Sequence, residues 1–515
     1  MTRRVDIIGG GPGGALAARL LALRHPDWRV RLFERLPPDD TFGFGVGLTH
    51  GLVSSLGAAD PEVLERVTAE VFSFQGASFD LPQGPVQFGQ FHSGALRRSK
   101  LLRILLDSAV EAGAEVVIGR SVSVDELVDD ADLVIAADGL SSATRTRFAD
   151  ALEPHTHVGR GAFIWCGGEV ELDGTVFMPV ETPAGTFVAH AYSYDRGLAA
   201  LVIEASQETL ERAGFTDRTW TSEGESDVEA LEYLSDAFAP LLKGGKLFGN
   251  RSRWGHFTTL KCARWYHDNV VLLGDAVATA HPSLGSGTKL ALESAIALAD
   301  AIDAGGDEPL VQALPRYEAA RRPKIERLQE AAMRSQLWWE SFTIRSDLSP
   351  SRLAVAYLSR AGVVSLADLT TMAPELARQA AAEFAGVDFD VVALDELVSW
   401  VLAKPLHTDH TQFPSRIVSN SVGTVATVDI RSGDAWSAEA AQYLQLAHGK
   451  VGSGADVLRL VGGHTRPEVL DRLAVAERMR HELAVPIGVE VPDRDFDLAA
   501  AGLIAGRIDL VWIAS

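Results

Sequence analysis

The chain has 515 residues, more than one ordinary core holds, and its length allows about three domains. Hydrophobic residues make up 47% and charged residues 23%, ordinary globular values, and no apolar run approaches the roughly 18 residues a membrane span needs, so no membrane partner is expected. The net charge of −22 excludes a general nucleic-acid binder, because phosphates are repelled, and makes any anionic substrate depend on a local basic patch.

The opening Met-Thr-Arg-Arg runs straight into an apolar stretch and leaves no room for a signal peptide, so a cytoplasmic location is expected. Cys166 and Cys262 are expected to be reduced, buried small hydrophobes, and no Cys/His spacing suggests a metal.

From Val5 the chain reads V-D-I-I-G-G-G-P-G-G, then an Ala/Leu-rich run from Ala15 to Leu23, then R-V-R-L-F-E ending at Glu34. This is a strand, a glycine turn, a helix and a second strand closed by an acid. Gly9, Gly11 and Gly14 fit G-x-G-x-x-G: the first permits a tight turn, the second lets the backbone approach a pyrophosphate, and the third lets helix and strand pack closely. Phosphates would lie at the helix N-terminus, where free N–H groups favour anions. Glu34, 20 residues beyond Gly14, is spaced to accept a ribose hydroxyl. Dinucleotide binding is the reading these elements support together.

Arg35 opens a segment in which Gly43, Gly45 and Gly47 alternate with bulky apolar residues up to Thr49. Such a segment is either merely flexible or lets the backbone lie against a flat ring. The periodicity predicts a helix over Leu96–Ala112, with Arg98 near its start; by spacing alone Arg98 is a solvated helix end. Residues 131–139 form an apolar strand running into Asp138-Gly139, which is either a plain turn or the rim of a crevice at a strand end.

Between about 155 and 268 the texture changes to short β-branched and aromatic runs separated by glycine or proline turns, which predicts a largely antiparallel sheet. Trp165, His190 and Tyr192 sit on these strands, as packed sheet residues or as ligand contacts. Val270–Leu273 then forms a strand ending at Gly274-Asp275, and a loop carrying His281, Pro282, Gly285, Ser286 and Gly287 leads into a helix from Lys289 to Ile302, a second anion-friendly turn. Residues from Leu310 to about Trp400 are helical in tone. After Pro405, helices alternate with apolar strands at Val457–Val461, Ile487–Val491 and Ile508–Ile513, which implies a parallel sheet or part of a barrel, far short of the roughly 250 residues of a complete one.

Three motifs in order, G-x-G-x-x-G with Glu34, Asp138-Gly139, and Gly274-Asp275 followed by Pro282, Gly285 and Gly287, resemble the FAD-dependent aromatic hydroxylases of the p-hydroxybenzoate hydroxylase type. D-T-F-G-F-G-V at 40–46, A-T-A-H-P-S-L-G-S-G-T-K-L-A-L-E at 278–293 and R-Y-E-x-x-R at 316–321 narrow the resemblance to the branch of salicylyl-CoA 5-hydroxylase and 2-aminobenzoyl-CoA monooxygenase/reductase. That branch carries an old-yellow-enzyme-like reductase domain at its C-terminus. Here Pro414 to Asn420 resembles a worn version of that domain's opening strand, and the remaining segment is too short for FMN binding to be expected.

The resemblance implies an α/β fold: a Rossmann-like FAD-binding domain (1–155 and 268–310) with an inserted, mainly antiparallel substrate sheet (156–267). A helical region (311–404) and a truncated, reductase-like, partial (βα) barrel segment (405–515) follow. It implies FAD as cofactor and NAD(P)H as co-substrate. Oxygen from O2 would be carried as a C4a-hydroperoxide to an aromatic ring, on a hydroxy- or aminobenzoyl thioester of CoA or a carrier protein. A homodimer is among the assemblies it allows.

Position by position, the resemblance gives Gly9, Gly11, Gly14, Glu34 and Arg35 to the adenosine diphosphate half. It turns Arg98 from a solvated end into a cofactor contact, gives Asp138 and Gly139 to FAD and NAD(P)H, and Asp275 to the ribityl side. Gly285, Ser286 and Gly287 fall near the flavin ring. His281 and Pro282 are the catalytic candidates on the substrate-side loop, and Gly45, Thr49, His190 and Tyr192 the substrate contacts. Two departures stand out: Ala278 replaces a histidine common after Gly-Asp-Ala-Ala, and His50 stands where relatives often have an acid. The alternatives are a hydroxylase of an indole or polyketide ring, and a flavin-binding scaffold whose tail recruits a partner.

Overall fold

The computed structural model describes residues 2–216, 224–285, 287–408, 411–418, 423–431 and 433–514. The chain divides into two compact units, residues 1–76 with 91–333, and residues 77–90 with 334–515.

The first unit is built on a six-stranded sheet in the order Tyr266–His267, Val270–Leu272, Leu133–Ala136, Arg4–Ile8, Arg29–Glu34, Glu115–Ile118. All neighbours are parallel except the first pair. Val5, Ile7, Leu32, Leu133, Ile135 and Leu272 are fully buried beneath helices Pro12–Arg24, Arg98–Glu111 and Gly287–Asp303, which share their core. Near-continuous apolar strands are what a parallel sheet buried on its faces requires. The polar exception is Asp6, wholly buried, whose carboxylate takes two hydrogen bonds of 2.7 Å from Arg31. Because these strands are parallel, Ile8, Glu34, Ala136 and Leu272 end on one edge, and that edge receives the turns at Gly9, Asp138 and Asp275. Ligands of open α/β sheets bind in such a crevice at the carboxyl ends of the strands.

The second sheet runs Leu247–Phe248, Pro154–Gly168, Leu198–Ala205, Gly185–Asp195, Thr175–Thr182, Phe72–Leu81, Gly84–Arg97, Gly45–Leu48, with Gly255–Cys262 paired to Pro154–Gly168. It therefore draws strands from before residue 155 as well as the expected segment. The hairpin over residues 72–97 is interrupted by glycines and polar residues and gives a weak apolar signal. Alternation sorts its faces. Ile164, Cys166, Phe187, Ala189, Leu201 and Ile203 enter a core with helices Gln207–Ala213 and Val228–Ala237, while Trp165 and Tyr192 belong to a different aromatic cluster with Phe44 and Phe74. Both cysteines are free and buried.

The second unit holds the helices Pro350–Ser359, Leu366–Met372, Pro374–Ala385 and Leu397–Leu402, and a parallel sheet of four strands in chain order: Val425–Asp429, Val457–Val461, Ile487–Val491 and Leu510–Ile513. A helix joins each strand to the next, which is the topology of consecutive βα units. The proposed opening strand contributes a parallel bridge from Ile417 to Val511; Ser419 and Asn420 lie outside the described residues. The cluster of Trp338, Trp339 and Phe342 packs with Tyr357, and Trp339 with Phe79. Among the described residues, no helix is long and apolar enough to cross a membrane.

Candidate active site

The glycine turn after Ile8 divides its labour. A Cβ on Gly9, whose φ is +100°, would lie 2.3 Å from the Ala137 carbonyl oxygen, and one on Gly14 would lie 2.0 Å from the Gly9 carbonyl oxygen. Both positions are closed by packing. At Gly11 a Cβ would meet nothing within 4 Å, so the backbone there borders open space. The helix that follows has no side-chain cap and carries Pro12 in its first turn, which leaves the N–H groups beyond it directed to that space. Glu34 lies beneath: its Oε2 accepts from Gly10 N–H at 2.6 Å and its Oε1 from Leu36 N–H at 2.9 Å. Arg35 is exposed at the strand end.

Asp138 uses Oδ2 to accept from Thr144 N–H at 3.1 Å, while its buried Oδ1 has no hydrogen-bond partner among the described residues. A buried carboxylate oxygen of this kind calls for a donor that a ligand can bring. Asp275 has solvent-accessible surface, yet protein surrounds it closely enough for desolvation to raise its carboxyl above the usual carboxylate range, against the pull of Arg98. The same burial lowers the Arg98 guanidinium, opposed by Asp275 and Tyr192.

Arg98 starts its helix with its N–H on the Phe44 carbonyl at 2.8 Å and its Nε on Thr41 Oγ1 at 3.2 Å. Tyr192 donates its hydroxyl to the Gly45 carbonyl at 3.0 Å, and burial pushes that hydroxyl up to about 12, so it stays a donor. Gly43 is pressed under Trp165: a Cβ there would meet the indole at 2.3 Å. Asn250 completes the clamp, its Nδ2 donating to the carbonyls of Thr41 and Gly43 at 2.9 Å each. Sequence reading had no means to find Asn250, since only the folded sheet brings it to this segment. Asn250→Ala is expected to destabilise the protein by about 1–3 kcal/mol by leaving both carbonyls without that donor. Thermal unfolding measures this, and an unshifted Tm would exclude the clamp.

The sheet wall continues from Tyr192. His190 Nε2 lies 3.4 Å from Glu204 Oε1, and Phe177 meets the His190 ring edge-on at 5.2 Å. Glu204 pairs in register with Phe163 and Val188, so an acid is set between two apolar side chains. Phe163 stacks on Phe257 at 3.8 Å, and Phe257 meets His281 edge-on at 4.3 Å. His281 is 2% exposed and caps the turn Pro282–Leu284, its Nδ1 accepting from Ser283 N–H at 3.3 Å. The ring thus has the loop-packing contacts of a structural residue, while Pro282, Gly285 and Gly287 are exposed. Ser286 lies outside the described residues. Thr49 spends its hydroxyl capping helix His50–Ala59, and its methyl group faces Gly285, 3.7 Å from where a Cβ would stand.

The FAD binding domain family matches residues 125–332. A salicyloyl-CoA 5-hydroxylase from a Streptomyces species is 33% identical over 99% of both chains. The chain belongs to the FAD-dependent aromatic hydroxylases. It is an enzyme that uses FAD with NAD(P)H as reductant, which removes the scaffold alternative. The open backbone at Gly11, the uncapped helix and the unpartnered Asp138 oxygen are features an FAD dinucleotide fits. A 3-hydroxy-4-methyl-anthranilyl-[aryl-carrier protein] 5-monooxygenase from Streptosporangium sibiricum is 34% identical over 72% of this chain and 97% of its own length. In fold, this hydroxylase is similar to a 2-methyl-3-hydroxypyridine-5-carboxylic acid oxygenase, with a TM-score of 0.53, 21% identity, and coverage of 73% of this chain and 97% of the other.

Proposed function

We propose that this hydroxylase acts on the ring of an aromatic acyl thioester of coenzyme A. The observation that carries this reading is the match over 99% of both lengths to a hydroxylase named for a CoA thioester. The carrier-protein relative leaves more than a quarter of this chain without a counterpart.

When bound and reduced by NAD(P)H, FAD supplies activated oxygen for the ring. In this reading the Gly9, Gly11 and Gly14 turn receives the pyrophosphate at the helix N-terminus, and Glu34 faces the adenosine side. Asp138, Gly139 and Asp275 border the rest of the cofactor, and Arg98 places a cation beside Asp275. Gly285 and Gly287 bring a helix N-terminus to the flavin end. Segment 41–49, held by Asn250, Trp165 and Tyr192, closes one side of the ring pocket and excludes water. His190 and Glu204, with Nε2 3.4 Å from Oε1, form an imidazole–carboxylate pair on the wall, beside the place where a ring hydroxyl or amino group would lie. His281 positions the loop through Phe257 and Ser283.

The test is product formation with NAD(P)H and O2 on salicyloyl-CoA and 2-aminobenzoyl-CoA, on the matching free acids, and on free indoles. Hydroxylated thioester at a rate at least about tenfold above the free acid is expected. Product from indoles alone would replace this reading with the indole alternative.

A further inference from the structure

Strand register puts Trp165, Val202 and His190 in one row on one face of the second sheet, because Val202 pairs with Trp165 on one side and with His190 on the other. Its chain neighbours Leu201 and Ile203 enter the helix-covered core on the opposite face. Phe163 and Tyr192 occupy diagonal positions on the face of Val202, as the register partners of Glu204 and Ala200. Neighbouring strands lie about 4.8 Å apart, so Trp165 and His190 rise from backbones about 10 Å apart with Val202 between them. A valine side chain is shorter than an indole, an imidazole, a phenyl or a phenol. Rings standing around a valine therefore make a well whose bottom is the valine methyl groups.

The other small side chains of this patch are covered. Ala200 and Val188 are 0% and 5% exposed, and a Cβ on Gly167 would lie 2.3 Å from the Phe248 ring, which fills that place. Val202 is half-buried and keeps accessible surface in mid-sheet. The walls, by contrast, are fixed from outside the well. Trp165 is pressed against Gly43 and meets Phe42 and Phe44 edge-on, and Tyr192 donates to the Gly45 carbonyl. Phe163 stacks on Phe257, and His190 meets Phe177 edge-on beside Glu204. A change at a wall disturbs those contacts, whereas a change at Val202 alters the depth of the well.

We propose that Val202 is the floor of the ring pocket and sets which ring substituents the enzyme accepts. An aromatic ring in this well stands on the valine methyl groups with the His190–Glu204 pair at its side. The proposal rests on the reading above that the substrate ring lies against this sheet; it is independent of the group, CoA or other, that carries the ring.

The test compares Val202→Ala, which deepens the well, with Val202→Ile, which fills it. The readout is the ratio of kcat/KM for each ring-methylated isomer of salicyloyl-CoA to that for salicyloyl-CoA itself. An apolar pocket discriminates one methylene by about 10–200-fold, so for at least one isomer the ratio is expected to rise about tenfold in Val202→Ala and to fall in Val202→Ile. Dissociation constants, read from the change in flavin absorbance on adding each thioester, should shift in the same direction without turnover. Flavin content and Tm report whether each variant is folded, and a packing defect lowers kcat/KM for all isomers alike and leaves the ratio where it was. Ratios that stay within about twofold of the unaltered enzyme for every isomer, in every folded variant, overturn the floor. Turnover of aryl-CoA with such unshifted ratios sinks Val202 and keeps the thioester reading. Turnover of indoles and of no aryl thioester sinks the thioester reading; the ratio is then taken between methylindoles and indole, and its shift keeps the floor.

Discussion

Gly11→Ala is expected to yield a folded apoprotein of unchanged Tm that retains markedly less flavin, whereas Gly14→Ala loses stability and flavin together. The two glycines belong to the same G-x-G-x-x-G, but their surroundings are opposite. At Gly11 the backbone is extended, with φ −61° and ψ 176°, which alanine adopts freely, and an added methyl meets no protein atom within 4 Å. Its cost falls on whatever approaches the turn. If the pyrophosphate comes as close as the fingerprint requires, overpacking of about 1–3 kcal/mol lowers affinity roughly five- to 150-fold. At Gly14 the methyl would stand 2.0 Å from the Gly9 carbonyl oxygen and 3.1 Å from Ala137 Cβ, so helix and strand must part before any ligand arrives. Flavin absorbance per protein and apoprotein melting read the two effects separately. Full flavin content in Gly11→Ala would remove the dinucleotide from this turn.

The cofactor turn was legible because its logic is local. Gly9, Gly14 and Glu34 act through neighbours set by one strand, one helix and the next strand, and the spacing of glycines and acid encodes that arrangement. Residues joined by sheet register were not legible. Glu204 gains meaning only because register sets it beside Phe163 and Val188, with His190 diagonally across. Asn250 reaches a segment over 200 positions earlier in the chain. His281 drew attention by its chemistry in a glycine loop, while its contacts with Phe257 and Ser283 depend on a neighbouring strand. In the tail, apolar periodicity announced helices and strands. The strand Val425–Asp429 was also missed, lying close behind a Ser-rich stretch with a weak apolar signal.

Glu204→Gln is expected to lower kcat for a hydroxybenzoyl thioester by roughly 100-fold near pH 7, within the range for losing a positioned acid–base group. Flavin content should hold. Glutamine keeps the shape of the side chain, so packing against the sheet is preserved, but it cannot take a proton or balance a charged imidazole. Ring hydroxylation is faster on a more electron-rich ring, and loss of a hydroxyl proton to the His190–Glu204 pair would supply that electron density. Tyr192, on the strand of His190, cannot substitute as the base, because burial keeps its hydroxyl protonated up to about 12. In the variant the substrate must ionise by itself, so kcat should climb as pH rises towards the phenolic range near about 10, whereas the unaltered enzyme is already fast at neutral pH. Stopped-flow measurement of product formation across pH separates this from a purely structural role: a packing defect lowers kcat equally at every pH. An unchanged kcat at pH 7, or a loss that alkaline pH does not restore, would leave the His190–Glu204 pair as a structural tie within the sheet.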